Sequence, residues 1–222
     1  MEKEKIKKAV KITGPQIQEA SLTVPDGSIE DLMSQARDAE EELTGLRVKG
    51  IQAADCDFSK IRLRSIVFEN CRFFGCRFTG SSLVDLQIRA CDFSNCDFSG
   101  AYFSRCRMES VKGVGVTMPD SHLSDQIWRD CNFRYGNFHG CRIEYLSIRN
   151  CDLSESFLTE CRWKHTTVED SSLRGVSFVN TSLKGLDLSS CAIEGLVVSD
   201  PPWELRGLTV DLFQAAALAG LL

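Results

Sequence analysis

Histidine is scarce in this chain. The three present, His122, His139 and His165, stand in no nucleophile motif and at no metal-ligand spacing. Neither a phosphate-cradling GxxxxGKS/T loop nor a GxGxxG turn occurs, which removes two common nucleotide-binding signatures. No apolar run approaches the ~18 residues that mark a membrane helix, and no charged-then-apolar leader opens the chain. The expectation is a cytoplasmic protein with no membrane partner, metal or cofactor, and no enzymatic activity. A dominant charge is missing too: residues 46–200 carry 19 acidic and 19 basic side chains. The net charge of −5 arises outside that stretch, −4 from residues 1–45 and −1 from residues 201–222. With no basic stripe carrying interleaved aromatics, direct nucleic-acid binding is not expected.

What the chain has in abundance is a five-residue frame. The stretch from Cys91 to Phe103 reads CDFSNCDFSGAYF, with small residues at Cys91, Cys96 and Ala101 and large ones at Phe93, Phe98 and Phe103. Counted in fives, the large slot runs from Phe58 to Val198, and only Gly113 leaves it empty. All eleven cysteines fall in the small slot two places earlier. An odd count, no export signal and one inward slot argue against disulfides. Gaps of five, as from Cys71 to Cys76, are also unlike zinc-ligand spacing. Cysteine reads here as a small hydrophobe, although Cys71 with Cys91, and Cys131 with Cys151, fall where neighbours approach disulfide distance on oxidation.

A period of five suits neither a helix nor a flat strand, whereas a square coil with one corner per unit satisfies it. Residues twenty apart then stack at the strand spacing of ~4.8 Å. Phe58, Phe78, Phe98, Met118, Phe138, Leu158, Phe178 and Val198 form one such column.

The repeated unit, A/C-D/N-L/F-S-x, resembles the pentapeptide-repeat family over roughly residues 46–200. The resemblance implies an all-β solenoid, a right-handed quadrilateral β-helix with four units per coil. About eight coils would make a rod of roughly 38 Å. Residues 1–45 form an N-terminal segment and capping helix, 46–200 the β-helix, and 201–222 a C-terminal cap and helix. The opening run MEKEKIKK and the rest of 1–27 read as a solvated, frayed terminus. Ser28 caps a helix expected from Ile29 to about Glu42, with Asp31 in the capping-box place, and that helix covers the first coil. The stretch Val111–His122, with two glycines and Pro119, suggests a bend or bulge in the wall. A filled β-helix offers no evident cleft.

The carboxyl end leaves the frame at Pro201 and Pro202, and Asp211 starts a helix-prone tail. Its apolar residues exceed what a cap buries, which invites pairing with a second copy, tail to tail. NTSLKGLDLSS (Asn180–Ser190) and LRGLTVDLFQAAALAGLL (Leu205–Leu222) are similar to the last coil and dimer helix of Gram-positive Qnr-like, quinolone-resistance members. That likeness implies dimer and cap residues at Trp203, Leu208, Leu212, Phe213 and Ala216, and the apolar surplus of the tail adds Leu218 and Leu221 to the expected dimer surface. The likeness also implies binding to DNA gyrase or topoisomerase IV by DNA mimicry, with carboxylates standing in for phosphates. Candidates for that acidic patch are Asp120, Asp125 and Asp130, at successive corners of one turn, with Glu155, Glu160, Glu169 and Asp170 below them. Corner aspartates also satisfy turn backbone, and alternation such as Glu69, Arg89, Glu109, Arg129 cancels a long-range field. The alternative is a generic interaction scaffold for another protein.

Overall fold

The structure, a computed structural model, describes residues 11–221, without the side chain of Leu221. The MEKEKIKK run lies outside the described residues.

The five-residue frame folds as a four-sided parallel coil. Every fifth residue from Glu40 to Gly185, and Gly195 beyond it, has a positive φ and turns the chain. Glycine or a short polar side chain fills many of these corners, because the left-handed region penalises a Cβ. Twenty residues later the chain returns beneath itself: Leu63 pairs with Leu83, Leu83 with Phe103, and Phe103 with Leu123. One sheet carries β1 (Glu42–Thr44), β2 (Arg47–Lys49), β4 (Arg62–Glu69), β6 (Ser82–Arg89), β7 (Tyr102–Glu109), β8 (His122–Arg129), β9 (Arg142–Arg149) and β10 (Arg162–Glu169). The short strands β3 (Gln52–Ala54) and β5 (Arg72–Phe74) pair on another side. β1 starts at Glu42, four residues before the expected start of coiling, and pairs with Arg62–Arg64.

Inward slots make the core. Phe58, Phe78 and Phe98 stack with ring centroids 5.3 and 4.8 Å apart down the expected column. Ten cysteines are buried, Cys56 is half-buried, and all eleven are free thiols. The void among Leu63, Phe73, Phe93 and Met118 amounts to only about 30 Å³.

The CDFS unit has a physical reason. The Asp97 carboxylate accepts from the Ser99 backbone N–H (2.8 Å) and from its hydroxyl, and Asp57 with Ser59 and Asp92 with Ser94 repeat the arrangement. The residue after the phenylalanine therefore has its N–H on a side chain instead of on the ladder. Pro119 occupies that place and forfeits no ladder bond. The expected bulge at Val111–His122 is absent: Lys112 bridges Asn132 and Thr117 bridges Asn137 in unbroken register. Gly113 also causes no bend, since the Phe133 ring stands 2.7 Å from where its Cβ would be.

Both ends are covered. Helix α1 (Ile29–Asp38) starts at Ser28, whose hydroxyl accepts from the Asp31 N–H, and it buries Ile29, Met33 and Ala36. It ends four residues before Glu42 because 42–44 is drawn into β1. The expectation of a frayed 1–27 fails for its described part. Residues 11–24 form a strap running along the rod: Thr13 N–H donates to Asp125, Gln16 N–H to Asp85, Glu19 pairs with Arg47 and Arg89, and Thr23 bridges Leu46. Beneath it the outward-facing Val67 and Val84 are buried, at 0% and 6% exposure. At the other end residues 204–209 form a further half-coil, with Leu183 N–H bonded to Glu204 O and Gly185 N–H to Gly207 O. Asp211 and Gln214 make a capping box for α2 (Leu212–Leu218).

The wall is not closed throughout. Among the described residues, no backbone hydrogen bond joins β10 to 182–189, and a gap opens there.

Candidate interaction surface

A filled rod leaves chemistry to its outside. Among the described residues no three His, Cys, Asp or Glu side chains could hold a metal ion. Burial pushes the thiols of Cys106 and Cys161 up to about 12, so neither is a thiolate near neutral pH. Cys71 N–H donates to the Cys91 sulfur at 3.3 Å, and Cys131 N–H to that of Cys151 at 3.4 Å. The small slot thus holds these sulfurs against backbone. Among the described residues no helix is long and apolar enough to cross a membrane.

The seven carboxylates singled out in the sequence divide among all four corners. Asp120 and Glu160 share one column, with Gly140 between them, and the Asp120 carboxylate leans into the space a Cβ at Gly140 would take (2.5 Å). Asp125 stands on the second corner, where it accepts from the strap. Asp130 and Asp170 share the third corner, beside Glu169; Asp130 accepts from Asn150 (2.5 Å) and Asp170 pairs with Arg149 (3.5 Å). Glu155 is on the fourth corner. What the fold brings together is therefore Asp130, Glu155 and Asp170. They line one shallow depression of about 540 Å³ with Asp152, Arg134 and Arg174. Arg134 lies 3.9 Å from Asp152, and Arg174 pairs with Glu194 at 2.9 Å, so this wall is of mixed charge. Periodicity alone places Asp130 and Asp170 on one corner, because residues 130, 150 and 170 are twenty apart, and Glu155 joins them from the next corner.

Ion-pair ladders run down the neighbouring walls as well. Arg89 reaches Glu69 at 3.3 Å and Glu109 at 3.8 Å, and Arg105 makes a two-pronged contact with Asp85 at 2.7 Å. Asp85, with its side chain 6% exposed, is the most buried acid in any of these pairs. Burial pushes its carboxyl up, but the Arg105 guanidinium and the Gln16 N–H outweigh that and hold it below the ordinary range. Sequence reasoning missed Asp85, since its strap partner lies 69 residues away.

Of the tail residues, Leu208 and Leu218 pack partly buried against the core. Leu212 and Phe213 stand out into solvent at 81% and 85% exposure, Trp203 is 39% exposed, and Ala216 is exposed. Pro201, Trp203, Leu205 and Leu208 line an apolar hollow of about 480 Å³ beside α2. Leu221's side chain lies outside the described residues.

No curated protein sequence matches the chain. Among solved structures, full-length QnrB1, a plasmid-mediated fluoroquinolone resistance protein, is 18% identical with a TM-score of 0.48, over 78% of this chain and 98% of that one. HetL, a pentapeptide repeat protein involved in heterocyst differentiation regulation in the cyanobacterium Nostoc, is 13% identical with a TM-score of 0.48, over 83% and 95%. A pentapeptide repeat protein from the Arabidopsis thaliana thylakoid lumen is 19% identical with a TM-score of 0.33, over 51% and 70%. The family model described as "Pentapeptide repeat region" matches residues 87–158. Residues 87–158 are thus a pentapeptide repeat region, and the twenty-residue register that carries them continues above and below.

Proposed function

We propose that this chain is a non-enzymatic protein-binding rod that pairs with a second copy through its carboxyl end. The observation that carries the reading is where the apolar side chains go. The frame commits them to a filled core, leaving Leu212 and Phe213 exposed on a helix beside an apolar hollow. Exposed apolar area at the end of a rod is what a self-pairing surface offers. Sedimentation of the whole chain tests it: a dimer is expected, and L212D/F213D is expected to be a folded monomer. A wild-type monomer at micromolar concentration would refute the pairing.

A narrower reading makes DNA gyrase or topoisomerase IV the partner. It is supported by the likeness of 180–190 and 205–222 to Gram-positive Qnr-like members, and by Asp130, Glu155 and Asp170 meeting on one wall. Carboxylates there would stand in for phosphates at the enzyme's DNA site. The mixed charge of that wall argues for short-range docking over long-range steering. The test is gyrase supercoiling with increasing protein, with and without a fluoroquinolone. Inhibition or drug relief, lost in D130N/E155Q/D170N, supports it. No effect on either topoisomerase leaves the rod a scaffold for another protein.

A further inference from the structure

The opening in the wall below β10 is a site of a different kind. From β4 to β10 each long strand is hydrogen-bonded to the next. Below β10 this stops. The segment 182–189 turns away: its corner at Gly185 closes with a Leu186 N–H to Leu183 O bond, and its N–H groups go down to the carboxyl-terminal half-coil. Side chains span the two ends of the gap, Cys161 N–H to the Thr181 hydroxyl (2.9 Å) and Asp170 N–H to the Ser190 hydroxyl (3.0 Å). The adjoining sides remain in register, with Ser172 bridging Ala192 and Ser177 bridging Val197. What lies between is a groove of about 700 Å³ whose upper lip is the free edge of β10. Two buried polar atoms at this lip, Trp163 Nε1 and Thr166 Oγ1, have no hydrogen-bond partner.

We propose that this groove takes an extended peptide strand from a protein partner, added to the β10 edge, with acidic side chains on its leading half. A free parallel edge offers the main-chain bonds that strand addition uses, while side-chain pockets select the sequence. Charge selects here. Lys184 and Lys164, the latter also reaching Glu144 at 3.3 Å, flank the half of the groove before the His165 corner, and Arg162 at the start of β10 has no ion pair among the described residues. Glu169 marks the half after the corner. A strand following β10 would alternate outward and inward residues, place glycine at the corner, and end on a basic residue opposite Glu169. The matching pattern is acidic, apolar, acidic, glycine, apolar, polar, apolar, basic.

A fluorescein-labelled peptide of that pattern, Glu-Leu-Glu-Gly-Val-Ser-Val-Lys, is titrated with the full chain by fluorescence anisotropy. Saturable binding is expected, weakened at least about tenfold in K164E/K184E. The charge-swapped peptide Lys-Leu-Lys-Gly-Val-Ser-Val-Glu should bind that variant better than it binds wild type. Hydrogen exchange provides the second readout: the β10 amides should slow when the peptide is present. The proposal is overturned by no saturation up to about 1 mM, by equal binding of both peptides to wild type, or by binding that leaves β10 unprotected. Self-association that disappears in K164E/K184E would also overturn it, by assigning the groove to a second copy.

Discussion

Gly113 is the one empty place in the large slot, and filling it is the sharpest test of how this core is held together. Consensus logic says that a side chain there should stabilise the coil. The structure says the reverse, because a Cβ on Gly113 would meet two carbons of the Phe133 ring at 2.7 Å. That ring cannot swing aside: it is 1% exposed, with Trp128 4.9 Å and Phe138 6.2 Å away between ring centroids. Overpacking of this kind costs about 1–3 kcal/mol. Gly113 has no positive φ, so alanine adds no backbone strain and would by itself gain about 0.4–1 kcal/mol by restricting the unfolded chain. Phe133→Ala alone costs about 3–5 kcal/mol through the cavity it leaves. In that background the G113A clash is gone, and the second substitution should turn neutral or stabilising. The unfolded-chain gain is common to both backgrounds and cancels, so the coupling energy equals the clash, about 1–3 kcal/mol. The cycle is read by thermal and urea unfolding with circular dichroism and tryptophan fluorescence, whose coincidence licenses a single free energy. For a chain this long, G113A should lower Tm by about 2–10 °C. Additive effects, or a stabilised G113A, would refute the view that Phe133 fills the place of the missing side chain.

Acid should loosen the corners within a defined window. Asp57 is held down to about 2 by the Ser59 hydroxyl and N–H, and at Asp92 and Asp97 burial pushes up but the following serines outweigh it. A depressed carboxyl contributes stability above its unfolded value of about 4 that is lost as pH falls toward 2. The fall in Tm between pH 4 and pH 2 should shrink in D57N/D92N/D97N, which keeps the acceptor oxygen. Asp85→Ala strands Arg105 and frees the Gln16 N–H, and should cost about 3 kcal/mol; amide exchange at Gln16 should rise, whereas unchanged exchange would mean that Asp85 does not hold the strap. Of the eleven thiols, half-buried Cys56 should react first with Ellman's reagent and the other ten only on unfolding. Rapid titration of several thiols in the native protein would contradict the inward slot.

Most of the fold was legible because its determinant is an interval of five, and an interval survives ignorance of everything distant. The Phe58 column, the cysteine slot, the Ser28 cap and the start of α2 are all readable from neighbours a few residues away. The strap was not. Ile12, Ile17 and Leu22 stand five apart but between the frame's two inward slots, and the strap's anchors, Asp85 and Asp125, lie 69 and 112 residues beyond the amides they accept from. The wall opening was hidden for the opposite reason: TSLKGLDLSS keeps the frame, with Leu183 and Leu188 buried. What departs there is the direction of the backbone bonds, drawn down to 204–209, and no local residue pattern reports that. The stretch that did look irregular, Val111–His122, is regular because the Phe133 ring fills the space beside Gly113 and Pro119 stands where the frame uses no ladder N–H.

The same division bears on function. Inward residues are fixed by the need to fill a square core, so they repeat and say little about a partner. Outward residues, three places in every five, are free of that need, and on this rod many of them pair with one another down the walls: Glu69 with Arg89, Asp57 with Arg77, Asp92 with Lys112. Satisfied ladders of this sort are worth little to a partner, which would have to break them and desolvate both charges. Recognition therefore concentrates where ladder or frame is interrupted. Three such places exist among the described residues: the exposed Leu212 and Phe213 beyond the last coil, the wall where Asp130, Glu155 and Asp170 meet, and the unpaired edge of β10. A substitution elsewhere on the flat walls should change stability before it changes binding, and at these three places the order should reverse.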